Sequence, residues 1–238
     1  PEAEFVNVLK MKPMRTQSGV APVTVLTKPY PCPGQCIFCP NDVRMPKSYL
    51  SEEPGARRAM LNRFDPYGQT WNRLLAFHRM GHPVEKVELI ILGGTWSSYP
   101  REYQIYFVAR CFDAINTFNA SDHHSKYHAT ADDHPDFLDL EPLDVDVPAE
   151  GETLNAYNRA VTRHLRSHHD GSLLSADESI QWERLETAHE VNESAACRVV
   201  GLVIETRPDE IDEAEVLHLR RLGATKVQTG IQSMSDRV

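Results

Sequence analysis

The chain has 238 residues, of which 41% are hydrophobic and 25% charged, with a formal net charge of −9. That length suffices for one large domain or two small ones. Its longest apolar stretch, residues 89–92, is far shorter than the roughly 20 residues that a membrane span needs. The first residues, Pro1-Glu2-Ala3-Glu4, lack the pattern of a signal peptide, so we expect a cytoplasmic protein whose natural start lies upstream.

Four strands alternate with helices along the chain. Residues 20–27 are rich in β-branched side chains, and residues 87–92 are almost continuously apolar, which is typical of a strand covered on both faces. Together with these two, strands are predicted at 198–205 and 226–231. Helices are predicted at 52–80 with breaks at Pro54 and Pro66, at 100–118 and at 210–222. The repeated strand–loop–helix order predicts an α/β fold with a parallel sheet and right-handed crossovers.

A polar segment rich in Asp and His interrupts this alternation. Residues 119–192 are interpreted as an insertion with helices at 154–166 and 177–193, and the acidic stretch 132–152 is expected to be disordered. The predicted division is therefore residues 1–118 and 193–238 for one barrel, with the insertion between them. Seven histidines of the insertion leave a second metal site open as an alternative to solvated side chains: His123, His124, His128, His134, His164, His168 and His169.

Three cysteines occur within eight residues. Cys32, Cys36 and Cys39 have the spacing C-x3-C-x2-C, and thiolates are the ligands that iron–sulfur clusters require. Three cysteines bind three irons of a [4Fe–4S] cluster and leave the fourth iron open to S-adenosylmethionine (SAM). The alternative is structural zinc, which needs four ligands, and no fourth Cys or His lies nearby. Cys111 and Cys197 are predicted to be buried structural thiols.

Each remaining motif follows the end of a predicted strand, where barrels and open parallel sheets hold their ligands. Gly93, Gly94 and Thr95 follow the second strand, and paired glycines allow close approach to a ligand. Glu205 and Arg207 flank the end of the third strand, where they would bind the ribose and the carboxylate of SAM; the alternative is an exposed ion pair. The fourth strand ends with Gly230, Gln232 and Ser233, and Gln232 is predicted to point into the mouth of the barrel; the alternative is a packing role for these residues.

These motifs and several others occur in an order that resembles a known family, the catalytic subunits of Elongator in their bacterial form. The further segments are residues 15–20 (RTQSGV), 65–67 (DPY), 81–83 (GHP), 86–88 (KVE), 205–209 (ETRPD) and 230–233 (GIQS). The resemblance covers nearly the whole chain except the insertion. The three-residue gap between Cys32 and Cys36 suits a bacterial member, because eukaryotic members have a longer gap.

The resemblance implies a radical SAM enzyme with a (βα) barrel. Members form a carboxymethyl group on C5 of the tRNA wobble uridine from acetyl-CoA through a 5′-deoxyadenosyl radical. It implies that Gly93, Gly94, Thr95, Glu205, Arg207 and Gln232 hold SAM and that Lys86 contacts acetyl-CoA. It also implies a C-terminal acetyltransferase domain that this chain lacks, so the chain is expected to be a fragment, truncated after about the fourth strand and inactive alone.

The basic N-terminal part is expected to face tRNA phosphates despite the negative total charge. Its cations are Lys10, Lys12, Arg15, Lys28, Arg44, Lys47, Arg57, Arg58, Arg63, Arg73 and Arg79. Two alternatives stay open: a cluster-containing RNA-binding module without catalysis, and a radical SAM enzyme with another substrate.

Overall fold

A computed structural model describes residues 9–34, 39–119 and 152–231. Four parallel strands form one sheet in the order β1-β2-β3-β4, with β1 at Ala21–Leu26, β2 at Lys86–Leu92, β3 at Arg198–Thr206 and β4 at Lys226–Thr229. The predicted α/β class and parallel sheet are confirmed. Because all strands run in the same direction, their carboxyl ends share one edge of the sheet.

Six helices connect or cover the strands in the described part of the chain: α1 at Pro54–Leu61, α2 at Pro66–Arg79, α3 at Arg101–Thr117, α4 at Glu152–His168, α5 at Trp182–Ser194 and α6 at Glu213–Arg221. Proline at the first position and the carboxylate of Asp65, which accepts from the N–H groups of Tyr67 and Gly68, fix the start of α2. In this part of the chain no helix is both long and apolar enough to cross a membrane.

The largest apolar core lies between the sheet and helices α2, α3 and α5. Val23, Leu89 and Ile91 of the strands are buried against Phe107 and Leu185 of the helices. Cys111 and Cys197 are buried in the same core, as predicted for structural thiols. Arg198–Thr206 pairs with both β2 and β4, so the third strand is interior to this sheet.

The predicted insertion contributes a second apolar core. Tyr157, Val161 and Leu165 lie on one face of α4 and are fully buried against Leu26, Met45 and other residues around the cysteine loop. The helix predicted at 154–166 is confirmed as α4. The one predicted at 177–193 starts later, because Ser175 caps a 3-10 turn at Ala176–Glu178 whose last side chain is buried.

Two other elements differ from their predicted bounds at one end. The helix predicted from residue 210 begins at Glu213, because Asp212 accepts a hydrogen bond from the Glu215 N–H at 2.7 Å and caps it. The preceding Pro208–Glu210 forms a 3-10 turn instead. The fourth strand ends at Thr229, two residues before the predicted end.

Candidate active site

The cysteine loop begins at the carboxyl end of β1 and is held there by α4. Cys32 is 8% exposed. Its backbone N–H donates to Asn158 Oδ1 at 3.0 Å, and Asn158 Nδ2 donates to the Cys32 carbonyl oxygen at 3.0 Å. One amide side chain therefore satisfies both backbone groups of this residue, which fixes the backbone position that carries the thiol.

Each of the two cysteine-loop thiols that the structure describes lies among hydrogen-bonding groups. Cys32 Sγ accepts from the Gly34 N–H at 3.4 Å and hydrogen-bonds with Thr95 Oγ1 at 3.4 Å. Cys39 Sγ is 3.2 Å from Ser48 Oγ. Hydrogen bonds to sulfur stabilise thiolates and adjust the electronics of iron–sulfur clusters, so this donor set fits such a group. Cys36 lies outside the described residues, and within them no group of three or more His, Cys, Asp or Glu side chains could hold a metal ion.

Gly93 and Gly94 follow β2, but they differ in their surroundings. A Cβ atom on Gly93 would lie 2.0 Å from Thr27 Oγ1 and 3.1 Å from Thr27 Cβ, and Thr27 is completely buried. Gly93 is therefore required by packing between the ends of β1 and β2. A Cβ atom on Gly94 would be 3.6 Å from its nearest neighbour, the Lys47 backbone nitrogen, which is ordinary contact.

We expect the adjacent substitutions Gly93→Ala and Gly94→Ala to have different effects on stability. Gly93→Ala should lower the free energy of unfolding by about 1–3 kcal/mol, because buried Thr27 has no room to move. Gly94→Ala, the matched control, should stay within about 0.5 kcal/mol of the parent. Urea unfolding followed by circular dichroism measures both. Equal losses would contradict the assignment of Gly93 to packing.

Thr95 is buried and connects the second strand to the cysteine loop. It is 1% exposed, and its hydroxyl contacts Cys32 Sγ. The carboxyl ends of β1 and β2 thus meet at this pair, as the sequence predicts for ligand-binding groups at strand ends. Ser97, two residues further on, hydrogen-bonds with Thr206 Oγ1 of β3 at 2.9 Å and brings the third strand into the same cluster.

Glu205 and Arg207 lie at the end of β3 but do not pair with each other. Glu205 Oε2 accepts from the Tyr49 hydroxyl at 3.0 Å. Burial, and then the negative charge of Glu205, raise the pKa of Tyr49, so the phenol remains a donor. Arg207 pairs with Asp209, with its Nε 2.8 Å from Asp209 Oδ1, and its hydrogen bonds lower the pKa of that carboxyl.

Arg207 also reaches the cysteine loop. Its Nη1 lies only 1.7 Å from where a Cβ atom on Gly34 would be, and Cys32 Sγ is 3.5 Å from the same position. The guanidinium therefore occupies the space left by the missing side chain of Gly34. Groups from β1, β2 and β3 converge there: the Cys32 thiol, the Thr95 hydroxyl and the Arg207 guanidinium.

The other two predicted ligand residues lie elsewhere. Lys86 is exposed at the first position of β2, so the length of a seven-residue strand separates it from Gly93. At about 3.3 Å per residue this length is roughly 20 Å. Lys86 therefore lies at the opposite edge of the sheet from Gly93. Gln232 and Ser233 lie outside the described residues, and Gly230 is exposed beyond the end of β4.

Beneath the cysteine loop lies a buried ion pair. Lys28, two residues beyond β1, is 2% exposed and pairs with Glu178, which is also 2% exposed. Tyr103 lies beside it, with Lys28 Nζ 5.3 Å from the ring centroid, and the Tyr99 hydroxyl donates to the Lys28 carbonyl oxygen at 2.8 Å. Lys28 is therefore not part of a basic surface, and counting it among the phosphate-facing cations was wrong.

The histidines of α4 form no metal site with other described residues. The rings of His164 and His168 lie 4.3 Å apart, and His168 Nδ1 is 2.9 Å from the His164 carbonyl oxygen. His123, His124, His128 and His134 lie outside the described residues, as does the predicted disordered stretch 132–152.

Sequence reasoning missed Asn158, Tyr49 and Glu178 as contributors to the site. These residues are separated by 126, 156 and 150 positions from Cys32, Glu205 and Lys28, their respective partners. No local pattern marks such contacts. Only for Glu178 did the sequence contain an indirect signal. Lys28 follows a strand of buried residues, and a buried lysine requires an anionic partner.

We expect Asn158→Ala to destabilise the cysteine loop. It removes both hydrogen bonds to Cys32 and leaves backbone groups unsatisfied, which should lower the free energy of unfolding by about 1–3 kcal/mol. Asn158→Asp, a matched control of the same shape, retains the acceptor for the Cys32 N–H but loses the donor to its carbonyl. Because its ionised carboxylate would face the Cys32 carbonyl oxygen in place of the donor, this variant should be at least as destabilised as the alanine variant in urea unfolding at a mildly alkaline pH. An alanine variant as stable as the parent would contradict the role of Asn158.

The fold and these contacts define a parallel α/β protein with a cysteine loop at the carboxyl ends of its strands, which is where αβ-barrel and open-sheet enzymes bind their ligands. No family model matches the chain. It is 34% identical over 240 residues to the tRNA uridine(34) acetyltransferase of Methanocaldococcus jannaschii, covering 98% of this chain and 33% of the relative. The corresponding Dehalococcoides mccartyi protein is 35% identical, over 94% of this chain and 35% of its own length.

Elongator complex protein 3 of Bos taurus is 28% identical over 98% of this chain and 34% of its own length. Among solved structures, the archaeal Methanocaldococcus infernus Elp3 with an N-terminal deletion is similar, with a TM-score of 0.50, 28% identity, and coverage of 92% of this chain and 30% of that one. Over nearly its whole length the chain is similar to these proteins, which are named tRNA uridine(34) acetyltransferase and Elongator complex protein 3. It spans about one third of the length of these relatives.

Proposed function

We propose that the chain is the cofactor-binding part of a radical SAM enzyme that modifies the wobble uridine of tRNA. The observation that carries the proposal is the convergence of the Cys32 thiol, the Thr95 hydroxyl and the Arg207 guanidinium at adjacent strand ends. The names of the relatives support the substrate, since two of them are called tRNA uridine(34) acetyltransferase.

Cys32, Cys36 and Cys39 would hold a [4Fe–4S] cluster. When bound, the cluster and SAM would supply a 5′-deoxyadenosyl radical. The chain's own residues would hold and orient these two groups. Gly34 N–H and Thr95 Oγ1 hydrogen-bond to the Cys32 sulfur, and Asn158 fixes the backbone that carries it.

Arg207 would bind the SAM carboxylate, because a guanidinium donates two parallel hydrogen bonds to a carboxylate. In the structure Asp209 accepts a hydrogen bond from this guanidinium. The SAM carboxylate would therefore replace Asp209 or share the guanidinium with it. Glu205 would accept from the ribose hydroxyls while Tyr49 orients it. Gly94 and Thr95 would approach the methionine amino group, and Gln232 would complete the site; Gly93 contributes through packing on Thr27.

Acetyl-CoA is the proposed co-substrate, and the proposed product is the C5 carboxymethyl-type modification. Lys86 would contact CoA phosphate from the amino end of β2, since an exposed ammonium attracts phosphate. Its position implies that CoA phosphates lie far from the strand ends. The proposed C-terminal acetyltransferase domain would provide the rest of the acetyl-CoA site.

Anaerobic cluster reconstitution tests the proposal first. Iron, sulfide and zinc are quantified, and the EPR spectrum of the reduced protein is recorded before and after SAM is added. About four irons per chain and a spectrum that changes with SAM are expected for a cluster with an open iron. Stoichiometric zinc, or a cluster that does not respond to SAM, would overturn the radical mechanism and leave an RNA-binding module.

A further inference from the structure

The segment that follows Thr95 is supported by elements other than the cysteine loop. Trp96–Ser98 forms a 3-10 turn shortly after β2. Trp96 is buried, but its indole N–H has no hydrogen-bond partner among the described residues. Packing of the ring, together with hydrogen bonds to the backbone of the turn, therefore holds this segment in place.

Gln104 donates hydrogen bonds to that backbone. It lies near the start of α3 and is completely buried. Its Nε2 donates to the carbonyl oxygens of Trp96 at 2.9 Å and of Tyr99 at 3.0 Å. Both amide protons of Gln104 are thus used, and they connect the two ends of one turn to α3.

The amide oxygen of Gln104 faces a second helix. Since Nε2 donates twice, Oε1 is the acceptor, and it accepts from His218 Nε2 of α6 at 2.6 Å and from Arg101 Nη1 at 3.3 Å. This hydrogen bond requires His218 to carry a proton on Nε2. Burial, and then the charge of Arg101, lower the pKa of His218 to about 4, so its ring is neutral near neutral pH.

A second contact joins the same two helices. Arg101 Nη2 lies 2.5 Å from Oε2 of Glu215, which is buried on α6. Arg101 and Gln104 are three residues apart on α3. Glu215 and His218 have the same spacing on α6, so each pair lies on one face of its helix. Because α6 follows β3 along the chain, these contacts connect the turn after β2 to the element after β3.

The turn also contacts groups at three strand ends. Ser97 Oγ hydrogen-bonds with Thr206 Oγ1 at 2.9 Å, at the end of β3. Thr95, directly before the turn, contacts the Cys32 sulfur beyond β1 at 3.4 Å. The Tyr99 hydroxyl donates to a backbone carbonyl oxygen beyond β1 at 2.8 Å. A displacement of the turn would therefore change the distances between the groups that make up the candidate site.

We propose that Gln104 is a positioning residue for the SAM site and that His218 fixes the orientation of its amide. The inference rests on the proposed function and adds to it the residues that hold Thr95 in place relative to the ends of β1 and β3. Gln104 reaches the site only through the turn, and His218 is half-buried on α6. Their effect on a bound ligand is therefore indirect.

The test compares His218→Leu with His218→Gln in the full natural polypeptide after anaerobic cluster reconstitution. Leucine retains an apolar contact with Trp182 but removes the donor to Gln104, whereas a glutamine amide offers an N–H near the position of Nε2. His218→Leu should weaken SAM binding roughly three- to tenfold, measured from the EPR change against SAM concentration, and His218→Gln should restore most of the affinity. Arg220→Gln, at an exposed arginine of α6, is the matched control and should bind SAM like the parent.

Gln104→Glu provides an independent check. It retains the acceptor for His218 but places a carboxylate oxygen where Nε2 donated to the two turn carbonyls. It should weaken SAM binding more than His218→Leu does. Amide hydrogen exchange of residues 95–99, measured without SAM, should become faster in both variants while the later turns of α3 keep parental protection. Thermal unfolding checks that each variant folds.

These measurements separate the outcomes. Parental SAM affinity together with parental exchange at residues 95–99 in His218→Leu and Gln104→Glu would overturn the inference. An equal loss of affinity in His218→Leu and His218→Gln would also overturn it, because the effect would then come from packing and not from the hydrogen bond. A parent whose spectrum does not change with SAM would overturn the proposed function, whereas the exchange measurement tests the positioning of the turn separately.

Discussion

Under the proposed function, replacing Cys32 with serine should reduce bound iron from the expected value of about four per chain to below one and abolish the proposed tRNA modification. The hydroxyl is a poor ligand for iron in place of the thiolate, and the described contacts of Cys32 hold it in place within the cysteine loop. Asn158 binds both backbone groups of Cys32, while Gly34 and Thr95 contact its sulfur. Iron analysis and the EPR spectrum after anaerobic reconstitution measure the loss.

Cys111→Ala is the matched control for this prediction. Burial raises the pKa of the Cys111 thiol to about 12, so it remains protonated and offers no thiolate to a metal. It hydrogen-bonds weakly to the Pro66 carbonyl oxygen within the main core. The control should lose some stability but retain iron and the SAM-dependent spectrum. Full iron in Cys32→Ser, or loss of iron in Cys111→Ala, would contradict the assignment of the cluster loop.

The sheet could be predicted from the sequence because its signals are local. Residues 87–92 form a nearly unbroken apolar run, which is typical of a strand in a parallel sheet, and the strand appears at Lys86–Leu92 with one face buried and the other half-buried. The motifs after the strands could also be placed together, because the carboxyl ends of the strands in a parallel sheet share one edge. The contact between Cys32 and Thr95 follows from that rule.

Contacts with the predicted insertion could not be predicted in this way. Its polar composition gave no reason to place α4 against the cysteine loop, yet Tyr157 on this helix is fully buried and donates to the Met45 carbonyl oxygen at 2.8 Å. Nor could the sequence distinguish the surroundings of Gly93 from those of Gly94. That difference depends on the position of Thr27, which lies on another strand end.

Replacing Glu178 with glutamine should lower the free energy of unfolding by about 3–5 kcal/mol near neutral pH. The substitution removes the anion beside Lys28 and leaves an ammonium that is only 2% exposed without a counter-charge. Urea unfolding measures the loss. Glu186→Gln, which breaks the half-exposed pair with Arg221, is the matched control and should cost at most about 1 kcal/mol.

The pH dependence of this variant has a defined sign. Burial lowers the pKa of Lys28 below 10.5, and Glu178 partly opposes that shift, so the pKa should fall further in Glu178→Gln. At a pH below its pKa in the folded protein, Lys28 is charged in both the folded and the unfolded state. The full cost of burying its unpaired ammonium then applies. As the pH rises towards the ordinary lysine value of 10.5, the folded protein releases the proton while the unfolded chain keeps it, and stability increases.

The difference in free energy of unfolding between Glu178→Gln and the parent should therefore become smaller from about pH 7 to about pH 10. The double variant Lys28→Met/Glu178→Leu, which removes both charges, should recover most of the loss, because apolar side chains of similar size can replace a buried ion pair. Tyr103 beside the pair keeps its proton in this range, since burial raises its pKa well above the usual value. A deficit that is constant with pH, or a double variant no better than the single one, would mean that Glu178 stabilises the loop through packing and not through its charge.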